Sequence, residues 1–439
     1  MTFRRLARVA VLAGTVFFAS AAAAATTEIF WWHSMAGPLG DRVVAIANKF
    51  NAQQSEYKVT PVYKGQYGES MTAAIAAFRA GNPPNILQVF EVGTATMMSA
   101  KGAIVPVYQL MADAGEKFDP KAYIGPVAGY YSDASGKMLS MPFNSSTVVF
   151  YYNKDAFKKA GIATDKAPAT WPEVEADARK LKAAGFSCAF TTGWQSWAQI
   201  ENFSAWHNVP FATLQNGLGG PAARVVFNGP LQVRHIEDLA RWSKEGLFTY
   251  AGRTDEPLAK FTSGDCQMIM TSSGSYATIK ATGKFDFGVG PMPHYPDVAG
   301  TPQNAIIGGA SLWVMSGKTP TEYKGVAKFL AYLSSLDNQI AWHEGTGYVP
   351  ITTEAFQAVE KSGFYNQNPG FDVAVKELMH KPPTDNSRGL RLGNFLQIRN
   401  VIDEELELVW SGKSTAKEAL DEAVLRSNDL LAKFEKTAN

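Results

Sequence analysis

The sequence predicts an α/β fold in which parallel strands carry helices on their faces. Short apolar runs at 27–32, 57–63 and 85–90 alternate with segments of helical spacing. The segment 69–80 closes at Gly81, and Asn82-Pro83-Pro84 blocks its continuation. Tyr67 and Glu91 each fall just after a strand, the end of a parallel sheet where ligands collect.

The first residues read as an export signal. Arg4, Arg5 and Arg8 make a basic start, residues 9–20 are apolar but too short to span a bilayer, and 21–25 are small. Cleavage is expected near Ala25, with no cysteine nearby for lipid attachment, so the mature chain is expected to be soluble and exported to the periplasm of a two-membrane bacterium. Of 439 residues, 414 remain after these 25, which implies two or three domains. The 41 basic residues less these three leave 38 against 40 acidic ones. That near-balance points away from nucleic acid and from anionic membrane surfaces.

In chain order, the strand at 27–32 leads through the loop 33–40 to a helix at about 41–53. Residues 57–63 alternate as a second strand, with 64–68 as its exit loop. The helix 69–80 and the strand 85–90 follow. A further strand at 148–152 leads into a short helix that Gly161 stops. Thr170-Trp171-Pro172-Glu173 is a capping box with proline in the first turn, opening a helix to about 184. After the Gly-rich loop 216–221, helical spacing covers 231–246 and 256–263. A strand at 267–271 then meets Ser272-Ser273-Gly274-Ser275 and a helix from Tyr276. That serine-rich start suits an anion, and equally an ordinary N-cap. Gly308-Gly309 within the apolar run 305–314 implies close backbone approach, to a ligand or to another strand. A helix at 323–336, a turn at 345–350 and a helical last hundred residues complete the chain. Arg388, Arg391 and Arg399 cluster there, as a solvated face or an anion site. Cys188 and Cys266 are either a disulfide or two small buried residues, since spacing alone does not supply Cβ proximity.

Residues 193–207 carry three of the ten tryptophans: Trp194, Trp197 and Trp206. On a helix Trp194 and Trp197 would share a face. They could form an aromatic core face. Interleaved Gln195, Ser196, Gln199 and Asn202 also suit a ligand wall, where indoles stack on the C–H face of a small polyol and amides take its hydroxyls. No metal-ligand spacing appears: His343-Glu344 lacks a second histidine, position 347 being Gly347. Neither a nucleophile elbow nor a phosphate-binding loop is present, and Gly288-Val289-Gly290 is too short to read as a dinucleotide loop. The sequence therefore favours a binding protein without cofactor or metal over an enzyme.

The run P-F-N-S-S-T-V-V-F-Y-Y-N-K-D-A-F-K-K-A-G-I, followed by T-W-P-E, resembles a known family: the extracytoplasmic solute-binding proteins of ABC importers, in their maltose-binding-like class. F-T-S-G-D-C-Q-M-I-M-T-S-S-G-S, F-L-A-Y-L-S-S-L and T-G-Y-V-P-I extend the likeness over nearly all of the mature chain. Five stretches resemble the glycerol-phosphate-binding branch: F-W-W-H-S-M-A-G-P-L-G, Q-V-F-E-V-G-T-A-T-M-M, G-W-Q-S-W-A-Q-I-E-N-F-S-A-W, I-I-G-G-A-S-L-W-V-M and R-G-L-R-L-G-N-F-L-Q-I-R.

The resemblance implies a two-lobed periplasmic binding protein of type II, with ligand in the cleft. One lobe would hold 26–145 and about 303–350, the other 146–302 and about 351–439, after the signal 1–25. It implies sn-glycerol 3-phosphate as ligand, with glycerophosphocholine as a further candidate, ABC permease transmembrane subunits as partners, and a monomer. By resemblance, Tyr67 and Glu91 contact ligand from one lobe, with Ser146, in a turn, near the crossover. Trp194 and Trp197 stack the glycerol carbons, Ser272 uses the strand-to-helix start, Gly309 and Tyr348 come from the chain's return, and Arg399 forks onto phosphate. An oligosaccharide receptor, with tryptophans stacking pyranose rings, and an exported phosphodiester hydrolase are the competing readings.

Overall fold

The computed structural model describes residues 25–100 and 102–438. The expected export signal, residues 1–25, lies outside them except for its last residue. Ten strands are described: β1 (Thr27–His33), β2 (Tyr57–Tyr63), β3 (Ile86–Phe90), β4 (Ile104–Val105), β5 (Met141–Ser146), β6 (Val148–Asn153), β7 (Cys188–Thr192), β8 (Cys266–Ser272), β9 (Phe287–Gly290) and β10 (Gly308–Met315). They form two sheets. One runs β2-β1-β3-β10-β4, with β5 also paired to β10, and the other runs β7-β8-β6-β9.

β1 pairs in parallel with β2 and β3, as the strand–helix alternation predicts. β10, however, runs antiparallel to β3, β4 and β5, and β6 runs antiparallel to β8 and β9. The parallel pattern read from the start of the chain thus holds for β1–β3, and both sheets are mixed beyond it. The physical reason is the path of the chain. It leaves the first sheet at Ser146 and enters the second at Val148, across Thr147 alone. It returns from β9 to β10 at the end where β3 finishes, so β10 must run against β3. Thr147 Oγ1 donates to the Ile306 carbonyl at 3.0 Å, and Ile306 N–H donates to Asn202 Oδ1 at 3.0 Å, tying the outgoing and returning segments together.

Helix faces follow the apolar spacing. Gly37–Gln53 buries Val43, Ala47 and Phe50 at four- and three-residue intervals. Trp171–Ala183 buries Trp171, Val174, Ala178 and Leu181, and its predicted capping box is present: Thr170 Oγ1 accepts from Glu173 N–H while Glu173 Oε2 accepts from Thr170 N–H. Trp31, Phe50 and Phe329 pack beside the first sheet; Trp171, Phe190 and Trp242 pack beside the second. Burying each such side chain contributes about 1.5–3 kcal/mol.

Two boundaries move toward the cleft. The first helix begins at Gly37, with Pro38 in its first turn where the missing N–H costs nothing. The second begins at Tyr67, capped by Gln66 and Glu69, so Tyr67 is a first-turn residue, not part of an exit loop. Cys188 and Cys266 face each other in the β7–β8 register with Cα atoms 4.5 Å apart, and they are disulfide-bonded.

Candidate ligand-binding site

All nine residues singled out above line one cavity of about 160 Å3. It sits beyond the carboxyl ends of β3, β5, β7 and β8, the position that strand direction predicts.

From the first sheet, a chain of hydrogen bonds fixes Tyr67. Ser34 N–H donates to Gln88 Oε1 at 2.7 Å, Gln88 Nε2 to Asn144 Oδ1 at 2.8 Å, and Asn144 Nδ2 to the Tyr67 oxygen at 2.9 Å. That oxygen accepts from Asn144, and the Tyr348 hydroxyl lies beside it. The ring stacks on Phe90, 5.0 Å between centroids and 4° from parallel. Burial pushes the Tyr67 phenol well above its usual value and Tyr348 up to about 12. Both phenols are therefore protonated donors at neutral pH.

The glycine pair resolves in favour of close packing. A Cβ on Gly309, whose φ is +80°, would stand 1.8 Å from the Asn144 carbonyl oxygen on the neighbouring strand. A Cβ on Gly308 would stand 2.3 Å from Trp197 Cζ2. The backbone of β10 is thus bare where an indole and a strand must both approach, and Gly309 still reaches the cavity. Ser146 ends β5 inside the sheet and is not in a turn. Ser272 Oγ accepts from Gly274 N–H at 3.1 Å, and Ser273 N–H donates to the Thr147 carbonyl at 2.9 Å. These backbone donors are already used internally, so the serine cluster acts as an N-cap, with the Ser272 hydroxyl proton facing its own choice of acceptor.

Trp194 and Trp197 reach the cavity by a route different from one shared helical face. Trp194 sits before the helix in the left-handed region, φ 50°, and Trp197 opens a π-helical turn, Trp197–Asn202. Trp194 Nε1 donates to Asp255 Oδ1 at 2.7 Å. The interleaved amides serve the scaffold. Gln195 Oε1 accepts from Trp410 Nε1, Gln199 pairs with Thr192 and His235, and Asn202 holds the returning crossover segment. Trp206 donates to the Met292 carbonyl and is outside the cavity lining.

The charged end is the largest departure from expectation. Arg399 lies in the helix Phe395–Trp410 and is buried. Its Nε and Nη2 donate to Glu201 Oε1 and Oε2, each at 2.7 Å, and Nη2 also meets Glu91 Oε1 at 2.5 Å. The planar fork expected on phosphate is engaged by Glu201, which leaves Nη1 as the guanidinium nitrogen without a bond among the described residues. Burial raises Glu91 above the ordinary carboxylate range; Arg399 opposes this and Glu201 adds to it. The two carboxylates in turn hold the Arg399 charge more firmly than usual, against the effect of burial. One helical turn on, burial pushes Asp403 up to about 7. The other arginines of the cluster are elsewhere. Arg391 donates to the carbonyls of Gly129 and Tyr130, and Arg388 is exposed.

Sequence reasoning missed Glu201, Asp255, Gln66 and Asn144. Glu201 had a readable signal, an acid four residues after Trp197 in an otherwise apolar and amide-rich stretch. A buried carboxylate needs a cation or a proton. Asp255 had none, lying 61 residues from the tryptophan it meets.

A two-sheet α/β chain with a polar cavity at its strand ends, walled by indoles and floored by a buried arginine, is the architecture of a receptor for a small polar solute. The chain belongs to the bacterial extracellular solute-binding protein family, whose model matches residues 45–373. It is 54% identical over 429 residues, 98% of each chain, to the sn-glycerol-3-phosphate-binding periplasmic protein UgpB of Yersinia pseudotuberculosis. It is 52% identical over 439 residues, 99% of each, to the protein of that name from Pectobacterium atrosepticum. Among solved structures, UgpB from Mycobacterium tuberculosis in complex with glycerophosphocholine matches with a TM-score of 0.76 at 20% identity, over 93% of this chain and 99% of that one. Maltose-bound MalE3 of T. maritima matches with 0.72 at 18%, over 93% and 100%. The fold is thus that of maltose-binding-like periplasmic proteins.

Proposed function

We propose that this protein is the ligand-capturing component of an ABC importer, binding sn-glycerol 3-phosphate in the periplasm and delivering it to permease transmembrane subunits. The single observation that carries the reading is the convergence on one cavity of nine residues from the ends of β3, β5, β7 and β8, the helix after β2, the start of β10 and two later segments. Full-length relatives of 52–55% identity that bear that ligand in their names support it. In this reading Trp194 and Trp197 cover the carbon skeleton. Tyr67, Tyr348, Ser146 and Ser272 supply hydroxyl protons, Gly309 backbone, and Arg399 its Nη1 to phosphate oxygens. Glu91 accepts from a glycerol hydroxyl. The lobes comprise 26–145 with about 303–350 and 146–302 with about 351–439. The protein is a monomer that performs no chemistry on its ligand, needs neither cofactor nor metal, and is processed near Ala25. Glycerophosphocholine is a second ligand.

One observation favours an oligosaccharide receptor instead. Arg399 is already matched by two carboxylates, and an uncharged polyol tolerates such a floor better than a dianion does. Calorimetry of the mature protein against glycerol 3-phosphate, glycerophosphocholine, maltose and inorganic phosphate separates the two. Heat on maltose alone would overturn the phosphate reading.

A further inference from the structure

The cavity has depth, and its two ends differ in charge. Arg399, Glu91, Ser146, Trp197 and Tyr348 are buried, and with Glu201 behind them they close the deep end. Among the lining residues Ala36, Gln66 and Asp255 are exposed and Trp194 is half-buried, which puts the mouth on their side. A ligand group that the closed deep end does not hold has room toward this mouth, along the Trp194 indole.

Asp255 is placed to read that substituent. Its Oδ1 accepts from Trp194 Nε1 at 2.7 Å, which fixes the indole beside the carboxylate. Its hydrogen-bond partner among the described residues is Trp194, and no cation faces it; burial raises its carboxyl, the Trp194 N–H opposes this, and the like charge of Glu256 adds to it. The neighbouring Arg253 is held away by both Glu407 oxygens, at 2.7 and 2.6 Å. An indole face next to an unneutralised carboxylate attracts an ammonium group twice, through the ring quadrupole and through charge. It repels anions.

We propose that Trp194 and Asp255 form a head-group subsite at the cavity mouth that selects glycerophosphodiesters with a cationic alcohol, such as choline or ethanolamine, over those with a neutral one. This rests on the proposed function above and assigns a specificity to its open end.

The test is a set of affinities for the mature protein, by calorimetry, with glycerol 3-phosphate and the choline, ethanolamine and inositol diesters. Asp255→Asn keeps an acceptor for Trp194 Nε1 and removes the charge, while Asp255→Ala removes both. The wild type is expected to prefer the choline and ethanolamine diesters to the inositol diester. Asp255→Asn should lower that preference about fivefold to tenfold, and so, to a smaller degree, should raised salt. Asp255→Ala should in addition weaken all ligands, through the loosened indole. If Asp255→Asn leaves the choline-to-inositol ratio as in the wild type while glycerol 3-phosphate still binds, the subsite is refuted and Asp255 only positions Trp194. If the wild type binds neither glycerol 3-phosphate nor any diester, the proposed function falls and takes the subsite with it.

Discussion

Arg399→Ala is the most informative perturbation, because one side chain answers to two buried acids. Glu91 and Glu201 have side chains 7% and 1% exposed, and Arg399 bonds both. Removing one member of a buried ion pair costs about 3–5 kcal/mol, since the partner is left uncompensated. Here two carboxylates lose one cation, so the upper part of that range is expected. The penalty depends on pH in a calculable direction. Burial already raises Glu91 above its unfolded value of about 4.3, and removing the guanidinium that opposes this raises it further. Such groups favour folding fully below the unfolded value, and that contribution is lost as pH rises through the folded one. The deficit of the variant should therefore be small near pH 5 and grow as pH rises. Denaturant midpoints, followed by circular dichroism for wild type, Arg399→Ala and Arg399→Lys under identical conditions, measure it. The lysine variant should recover only part, because one ammonium cannot serve two carboxylates in fork geometry. Affinity for glycerol 3-phosphate should fall by about 2–5 kcal/mol, roughly 30- to several-thousand-fold. A variant within about 1 kcal/mol of wild type at pH 8, with a pH-independent difference, would refute the ion-pair reasoning.

Four shorter predictions test other parts of the molecule. Replacing Cys188 and Cys266 by alanine opens a link spanning 78 residues; chain entropy puts the loss at about 4 kcal/mol, read as a lower melting temperature that reductant reproduces in the wild type. Glu377 is buried, accepts from Met292 N–H at 2.6 Å and leaves its other oxygen without a partner among the described residues, and burial raises it well above the carboxylate range. Its contribution to stability is thus lost as pH rises through its folded value, and Glu377→Gln should flatten the alkaline side of a melting-temperature profile. Gly308→Ala drives a methyl group into Trp197; overpacking of about 1–3 kcal/mol and a weakened ligand titration are expected, and unchanged binding would show that Trp197 does not touch ligand. Trp194→Ala should cost about 1–3 kcal/mol of affinity, by analogy with stacked bases, with a loss that grows with the carbon skeleton covered.

Much of the framework was legible because it is local. The strand at Tyr57–Tyr63 is read with its observed limits, and the Thr170–Glu173 capping box closes as its spacing predicts. Both depend on residues within a few positions of one another. The nine site residues came from resemblance, and the residues alone supported them at Tyr67, Glu91, the two tryptophans and the serine cluster. Several local inferences failed where packing intervened. Trp194 leaves the helix for a left-handed conformation, and the amides beside it satisfy buried scaffold groups.

What the sequence by itself determined is the periodicity of each segment, the caps that start the helices and the glycine pair that lets strands and rings close up. These are properties of backbone preference and short-range spacing. Only the tertiary structure decided which distant groups meet. Arg399 finds Glu201 across 198 residues and Glu91 across 308, Trp194 finds Asp255 across 61, and Cys188 finds Cys266 through a parallel strand register. A buried guanidinium must be neutralised by whichever carboxylates folding brings within hydrogen-bond reach, and chain spacing carries no record of that distance.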